Sequence, residues 1–168
     1  ANIDLAVLRE CLHQGFSVPR PDEGREVVGG YTHMEYQGTA RRILHCDVTS
    51  LYPSIMLVYE YLPEKDELGI FSGLLRDLRK FRLKAKELAR DAQDEESQLY
   101  FNALQATFKI LINSFYGYLG FQMGHFNDFA AANQVTAKGR ELIQSAVAWL
   151  KGKGTQIIEV DTDGIYFI

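Results

Sequence analysis

The stretch DVTSLYPS, residues 47–54, is the part of the sequence around which the predicted fold is organised. It follows RRILHC, residues 41–46, a short run whose two adjacent apolar residues suit a β-strand. Pro53 can occupy the first turn of a helix, because its fixed φ and missing N–H suit that position. The pattern therefore predicts a strand that ends near Asp47, a tight turn and a short helix. A carboxylate at such a strand end can bind a metal ion, although most aspartates there only cap a turn.

The composition is that of one ordinary globular domain. The chain has 168 residues, 46% of them hydrophobic and 24% charged, which is enough for a sizeable core. Its net charge of −4 gives no overall positive field, so nucleic-acid binding would depend on local basic patches. Cys11 and Cys46 have no paired spacing and are expected to be reduced, and the four histidines form no zinc-binding pattern. Without a long apolar run or a signal-peptide pattern, we expect a cytoplasmic protein that does not enter a membrane.

The clearest helical periodicity lies in residues 74–91, where one apolar stripe is surrounded by seven basic residues. The stripe consists of Leu74, Leu78, Phe81, Ala85 and Leu88. A basic helix is most often only a solvated face. Here so much positive charge on one helix of an acidic protein favours an anionic partner.

A second helix is predicted for residues 98–116, after an acidic turn. Its apolar face consists of Leu104, Phe108, Leu111 and Phe115. Lys109, Asn113 and Tyr116 follow one another at steps of four and three on the opposite face. Two helices joined by a short polar turn form an antiparallel hairpin, so the two polar stripes are expected to line one cleft.

Two further helices and a β-hairpin complete the prediction. Residues 3–12 and 129–150 have helical spacing of apolar residues, and Gly139 in the second helix suggests close backbone packing. The inward residues are predicted to be Leu5, Leu8 and Leu12, then Ala132, Val135, Leu142, Ala146 and Leu150. Residues 156–160 and 165–168 are predicted strands, joined by the turn DTDG. A DG turn is a common structural signal, but it does not explain Asp161 at the tip of an apolar hairpin.

Three stretches, in this order, resemble motifs A, B and C of the family B DNA polymerases. DVTSLYPS matches DxxSLYPS, KILINSFYG at residues 109–117 matches KxxxNSxYG, and VDTDG at residues 160–164 contains DTD. Motif C departs from the usual GDTDS, because Val160 replaces a small residue and Gly164 replaces a hydroxyl residue.

Two shorter segments extend the resemblance, which covers residues 26–168. VTAKGRE, residues 135–141, is similar to a helix segment that follows motif B, and GGY, residues 29–31, to a short element before the palm.

The resemblance implies an α+β fold: an antiparallel, ferredoxin-like palm sheet with packed helices and an inserted helical hairpin, the fingers. Residues 1–40 would form an N-terminal helix and linker, and residues 41–72 the first part of the palm with motif A. Residues 73–117 would form the fingers with motif B at their end, and residues 118–168 the second part of the palm with motif C. The chain would be a fragment of a longer polymerase whose exonuclease and thumb parts lie outside it.

Three carboxylates would repel one another if the fold brought them together, which would raise the pKa of at least one. They are Asp47, Asp161 and Asp163. Two Mg²⁺ ions about 3.5–4 Å apart would relieve the repulsion and suit an in-line phosphoryl displacement. By resemblance, Asp47 and Asp163 are the principal catalytic ligands, the carbonyl of Val48 adds an oxygen and Asp161 is a supporting acid. Mn²⁺ is a possible substitute for Mg²⁺.

The resemblance also assigns a nucleotide-binding set that would hold a deoxynucleoside triphosphate (dNTP). The set is Ser50, Leu51, Tyr52, Arg82, Lys86, Lys109, Asn113, Tyr116 and Gly117. Its cations would compensate the charge of the triphosphate. Tyr52 would be the steric gate that leaves no room for a 2′-hydroxyl, and Tyr116 and Gly117 would flank the nascent base pair. For an isolated tyrosine, simple packing would be the better interpretation.

The expected function is template-directed DNA synthesis in DNA replication, by transfer of a nucleotide from a dNTP to a primer 3′-hydroxyl on primer–template DNA. The isolated chain is expected to be inactive. Two alternatives stay open: a catalytically silent nucleotide- or nucleic-acid-binding relic of the fold, and a plain interaction domain with accidental motifs. The intact carboxylates and cations oppose the first, and the ordered match of the motifs opposes the second.

Overall fold

Within residues 2–168, which the computed structural model describes, five helices accompany one four-stranded sheet. The helices are α1 (Asn2–His13), α2 (Leu51–Val58), α3 (Ile70–Asp91), α4 (Glu95–Leu119) and α5 (Phe129–Gly152). The strands are β1 (Thr32–Met34), β2 (Leu44–Asp47), β3 (Ile157–Asp161) and β4 (Gly164–Phe167). The predicted α+β class is confirmed, and its ferredoxin-like detail stays a prediction.

The sheet is antiparallel throughout, with the order β1-β3-β4-β2. In the central hairpin, Asp161 of β3 pairs with Gly164 of β4 next to the turn. Gly164 also pairs with Asp47, so the end of β2 and the hairpin tip lie side by side. Strand β1 was not predicted, because three exposed residues without apolar alternation carry no strand signal.

The hydrophobic core lies between the helices and one face of this sheet. Phe71 of α3 and Phe115 of α4 have no exposed surface, and their ring centroids are 4.9 Å apart. Helix α5 packs against α2, α4 and β3. The sheet contributes Ile157, Val160 and Ile165. Burying each large apolar side chain contributes about 1.5–3 kcal/mol, so this core holds the ends of the strands in place.

Helix α1 turns a different face inward from the one predicted. Ile3, Val7 and Cys11 are buried, whereas Leu5 and Leu12 are each 64% exposed. Both stripes have helical spacing, so periodicity alone does not choose between them. Leu8 of the predicted stripe is partly buried against the core, and α1 contacts α3 and α4.

Helix α3 confirms part of its predicted inward stripe: Ala85 is buried, and Leu74 and Leu78 pack against the core. Phe81 and Leu88 of the stripe are 56% and 37% exposed, and Phe71, Leu75 and Ala89 are buried outside it. The helix begins at Ile70, earlier than predicted, because the carboxylate of Asp66 accepts hydrogen bonds from the first backbone N–H groups of the helix.

Helix α5 confirms the close approach expected at Gly139, which lies against the ring of Tyr52. The prediction that Ala146 faces inward is wrong: Ala146 is exposed, and Ile143 and Val147 are buried instead. Alanine gives little hydrophobic driving force, so the larger neighbours determine which face is buried.

The predicted linker before β1 lacks regular structure but is tied by side chains to α5 and to Asn127, just before that helix. Asn127, which is fully buried, accepts a hydrogen bond from the backbone N–H of Asp22 at 2.8 Å. Asn133 accepts one from Val28 N at 3.0 Å, and Arg140 donates to the carbonyl of Gly29 at 2.6 Å. These contacts lead the chain to the hairpin tip.

Across residues 2–168 no helix has the length and apolar character needed to cross a membrane. Cys11 and Cys46 are both free, the first buried and the second exposed.

Candidate active site

A tight turn directs the end of β2 toward the tip of the β3–β4 hairpin. Val48 N donates a hydrogen bond of 2.8 Å to the carbonyl of Asp163, which joins the two segments. Ser50 (φ 55°) and Thr162 (φ 52°) both adopt the left-handed conformation that non-glycine residues rarely occupy. Such strain is often found at functional sites, and here it turns the chain from β2 into α2 and around the hairpin tip.

Between this turn and the helices α3 and α4 lies a cavity of about 350 Å³. It is lined by Asp47, Thr49, Ser50, Leu51, Tyr52, Pro53, Arg82, Lys86, Lys109, Asn113, Thr162 and Asp163. Asp47 comes from the end of β2 and Asp163 from the β3–β4 turn, whereas the basic side chains come from α3 and α4. The cavity therefore has a negative wall and a positive wall.

The carboxylates on the negative wall interact with one another. Burial raises the pKa of Asp163, and the charges of Asp47 and Asp161 raise it further, while His45 opposes the shift. The direction agrees with the repulsion that the sequence predicted. A raised pKa means that negative charge at Asp163 is incompletely compensated within the chain.

Two of the three predicted acids reach the cavity. Asp161 is exposed and does not line it. Among residues 2–168, no three Asp, Glu, His or Cys side chains are arranged to hold a metal ion. The oxygen donors of Asp47 and Asp163, with their uncompensated charge, nevertheless fit a hard divalent cation. The metal-ligand roles, including that of Val48, stay predictions.

The cations of the positive wall have no carboxylate partners. Among the described residues Arg82, Lys86 and Lys109 form no ion pair, whereas Lys80 and Lys84 on the same α3 pair with Asp77 and Glu87. The three unpaired cations are therefore free to bind an anion.

Arg82 has a further unmet hydrogen-bonding group. Its Nη1 donates to the hydroxyl of Ser50 at 3.2 Å, but its Nε is buried without a partner in the described chain. An unsatisfied buried donor is costly, which favours an anionic ligand at this wall.

Tyr52 of α2 lines the cavity and packs against Tyr116 of α4. The ring centroids are 4.5 Å apart at an interplanar angle of 42°. Burial raises the pKa of both phenols, so both are neutral at physiological pH. Tyr116 does not line the cavity itself and reaches it only through this contact.

Gly117 lies away from the cavity. It lines a second, mostly apolar space with Ile110, Leu111 and Tyr118. One residue farther along a helix points about 100° away, so Gly117 and Tyr116 face different surroundings.

The sequence motifs did not single out Thr49, Thr162 or His45. The two threonines line the cavity, and His45 interacts with Asp163. Strand alternation is the signal that points to His45, since it shares a face with Asp47 two residues later.

Residues 58–163 match the family model described as DNA polymerase family B, which is more than half of the chain. The chain belongs to DNA polymerase family B. It is 30% identical to DNA polymerase 1 of Pyrococcus abyssi (strain GE5 / Orsay), over 98% of this chain and 25% of that protein. It is 34% identical to the DNA polymerase of Paramecium bursaria Chlorella virus NY2A, over 64% of this chain and 13% of that protein.

A solved structure of the family B DNA polymerase from Pyrobaculum calidifontis has the same fold, with a TM-score of 0.73 at 23% identity. The match covers 98% of this chain and 25% of that one. The chain spans about a quarter of the length of the archaeal relatives it matches.

Proposed function

We propose that this chain is the palm and fingers part of a DNA-directed DNA polymerase, and that its cavity binds a dNTP for transfer to a primer 3′-hydroxyl. One observation carries the proposal: two carboxylates from the sheet face three unpaired cations from α3 and α4 across one cavity. A triphosphate carried on divalent cations has the charge pattern that matches these two walls. The proposal includes a cytoplasmic location and a role in DNA replication.

The proposed division follows the motifs. Residues 1–40 lead into the palm, residues 41–72 and 118–168 form it, and residues 73–117 form the fingers. Helices α3 and α4 pack mainly on each other, which supports a hairpin that moves as one unit. The sheet that carries both carboxylates packs on α5.

On the negative wall, Asp47 and Asp163 would hold Mg²⁺ or Mn²⁺, with the Val48 carbonyl and Asp161 in support. When bound, two such ions activate the attacking hydroxyl and stabilise the leaving pyrophosphate. The protein positions these ligands through the Asp47–Gly164 pairing and the Val48–Asp163 hydrogen bond.

On the positive wall, Arg82, Lys86 and Lys109 bind the triphosphate oxygens, and Asn113 supplies an uncharged polar group. Their charges matter most as negative charge develops on the departing pyrophosphate. Ser50 keeps the Arg82 guanidinium at the cavity through its hydroxyl.

Tyr52 supplies sugar selection. Its half-buried ring lines the cavity and is supported by Tyr116, which is consistent with a gate that would exclude a 2′-hydroxyl. Leu51 and Gly117 complete the proposed nucleotide-binding set.

Stable binding of primer–template DNA depends on parts outside this chain. Affinity for a duplex grows with the number of phosphates neutralised and falls steeply with salt. This chain carries a net charge of −4, and three of its basic residues line the nucleotide cavity. We propose that an exonuclease part and a thumb of the same polypeptide supply the remaining contacts, and that the isolated chain does not extend primers.

The test is primer extension with Mg²⁺ by the parent polypeptide, meaning the longer chain that we propose contains these residues. Asp47→Ala and Asp163→Ala should each abolish nucleotide addition while leaving the unfolding transition cooperative. Near-normal extension by either variant would refute the two-metal assignment. A parent polypeptide that binds dNTP without extending a primer would instead identify a catalytically silent relic.

A further inference from the structure

The ring of Tyr52 is approached closely by two glycines from different parts of the chain. A Cβ placed on Gly139 of α5 would lie 2.9 Å from Tyr52 Cε1 and 3.6 Å from Cδ1. A Cβ placed on Gly30, just before β1, would lie 2.7 Å from the Tyr52 hydroxyl and 2.7 Å from Cγ2 of Thr162. Together with Tyr116, the two glycines surround the ring.

Neither glycine is required by its own backbone. Gly139 lies inside a helix, and neither residue has the positive φ that favours glycine. Glycine is a poorer helix former than alanine, so Gly139 weakens α5 locally. The benefit visible in the structure is the space that each glycine leaves for Tyr52.

The segment around Gly30 is held where it is and cannot easily withdraw. The carbonyl of Gly29 accepts a 2.6 Å hydrogen bond from Arg140, the residue after Gly139. The carbonyl of Tyr31 accepts a 2.9 Å hydrogen bond from Thr162 N. A new side chain at position 139 must therefore displace the Tyr52 ring, and one at position 30 must displace both the Tyr52 hydroxyl and the side chain of Thr162.

We propose that Gly30 and Gly139 are positioning residues that set sugar selection by fixing where the Tyr52 ring lies. This inference rests on the proposed function in one respect, namely that Tyr52 faces the sugar of the nucleotide. To reach an ordinary contact of 3.4 Å from a Cβ at position 139, the ring must move by at least about 0.5 Å. Steric discrimination depends on such distances, because a displacement near 1 Å is enough to change reactivity strongly.

The first experiment measures kcat/KM for a dNTP and for the matching ribonucleotide with the parent polypeptide. Gly139→Ala should reduce the preference for the deoxynucleotide at least about fivefold, and Gly30→Ala should act in the same direction. The matched control is Gly152→Ala in the same α5, where an added Cβ meets nothing within 4 Å. An unchanged preference in both glycine variants would overturn the inference.

A double-mutant cycle separates ring positioning from a general structural effect. In a Tyr52→Ala background no ring is left to displace, so Gly139→Ala should have no further effect on the preference. An equal effect in both backgrounds would overturn the inference. If Tyr52→Ala alone leaves the preference unchanged, the proposed role of Tyr52 fails and this inference fails with it. If only the glycine variants leave it unchanged, the inference alone fails.

A measurement without catalysis tests the geometry on the 168-residue chain itself. Gly139→Ala should shift the aromatic NMR resonances of Tyr52 and of its neighbour Tyr116, whereas Gly152→Ala should leave them in place. Tyr52→Phe removes the hydroxyl that faces Gly30 but keeps the ring edge that faces Gly139, so Gly139→Ala should still shift the ring of Phe at position 52. Unmoved ring resonances in folded Gly139→Ala and Gly30→Ala would contradict the proposal.

Discussion

The imidazole of His45 occupies the space into which a side chain at position 164 would project. Its Nε2 lies 2.8 Å from where a Cβ on Gly164 would be. His45 also stacks on Tyr166, with ring centroids 4.1 Å apart and planes 13° apart. A side chain at position 164 would therefore have to displace the stacked imidazole of His45. The departure of motif C from GDTDS at Gly164 therefore has a steric explanation in β2.

Restoring the hydroxyl residue should be destabilising only while His45 is present. Gly164→Ser should lower the free energy of unfolding by about 0.5–1 kcal/mol, because it forces the imidazole of His45 off Tyr166, its cross-strand partner. In a His45→Ala background the same change should cost less than about 0.2 kcal/mol, because the cross-strand pair that it disturbs is absent. Urea unfolding of the four chains measures both costs. Equal costs in the two backgrounds would show that His45 is not the obstacle.

Removing one carboxylate should stabilise the chain when metal is absent. The pKa of Asp163 is raised in the folded state by burial and by Asp47, so its ionisation lowers stability as the pH rises through that pKa. Asp47→Asn should therefore raise the Tm in EDTA at pH 7, and the gain should vanish in acid, where Asp163 is protonated. Mg²⁺ should raise the Tm of the unaltered chain but not of the variant. A Tm in EDTA that falls at pH 7 would contradict this electrostatic explanation.

The unpaired cations should contribute to nucleotide binding far more than the paired ones. Arg82→Ala should weaken binding of Mg²⁺–dNTP about 10- to 100-fold, the loss of a charged hydrogen bond. Lys80→Ala on the same helix should change it less than about twofold, since Lys80 is exposed and pairs with Asp77. Isothermal titration of both variants measures the difference. Similar losses would indicate only a diffuse basic surface.

Linear motifs predicted which residues line the cavity better than helical periodicity predicted which helix faces are buried. The segment around Asp47 and the DTDG turn carry turn-forming residues next to strands, so their geometry is encoded locally. Long-range contacts leave no such pattern. The sequence around Asn127 does not reveal its hydrogen bonds to Asp22, and Gly30 shows no sign of its approach to Tyr52.

The predicted inward faces of α1 and α3 are partly wrong for a related reason. Apolar residues on α1 and α3 form two adjacent stripes, and the choice between them depends on which other element lies beside the helix. For α3 the neighbour is α4, which is close enough for Ala85 and Ala89 but leaves Phe81 largely exposed. Only the tertiary arrangement holds that information.

Truncation of the two aromatic side chains of α3 should therefore have very different costs. Phe71→Ala should lower the free energy of unfolding by about 3–5 kcal/mol, because Phe71 is fully buried against Phe115. Phe81→Ala should cost less than about 1 kcal/mol, since Phe81 is 56% exposed and its ring centroid lies 6.1 Å from that of Phe108. Urea unfolding measures both. A larger cost at Phe81 would restore the face that the sequence predicted.

Asp4, a partly buried acid, joins α1 to the segment after α4. The carboxylate of Asp4 accepts hydrogen bonds from the hydroxyl of Tyr118 and from His125 N at 2.9 Å, and contacts His125 Nδ1 at 3.0 Å. Burial raises the pKa of Asp4, but these hydrogen bonds outweigh burial and bring it below the ordinary value. A lowered folded-state pKa contributes stability above the unfolded-state pKa, and that stability is lost as the pH falls through the folded-state pKa.

Asp4→Asn should therefore destabilise the chain by about 1–3 kcal/mol at pH 7, because it removes a charged acceptor from three donors. The difference should shrink as the pH falls below about 4, where aspartate in the unfolded chain becomes protonated. Asp77→Asn is the control, since Asp77 is exposed in a surface ion pair with Lys80 and should change stability by less than about 1 kcal/mol at pH 7. Urea unfolding from pH 3 to pH 7 provides the comparison. A cost of Asp4→Asn that stays constant over that range would mean that the ionised carboxylate does not hold α1 in place.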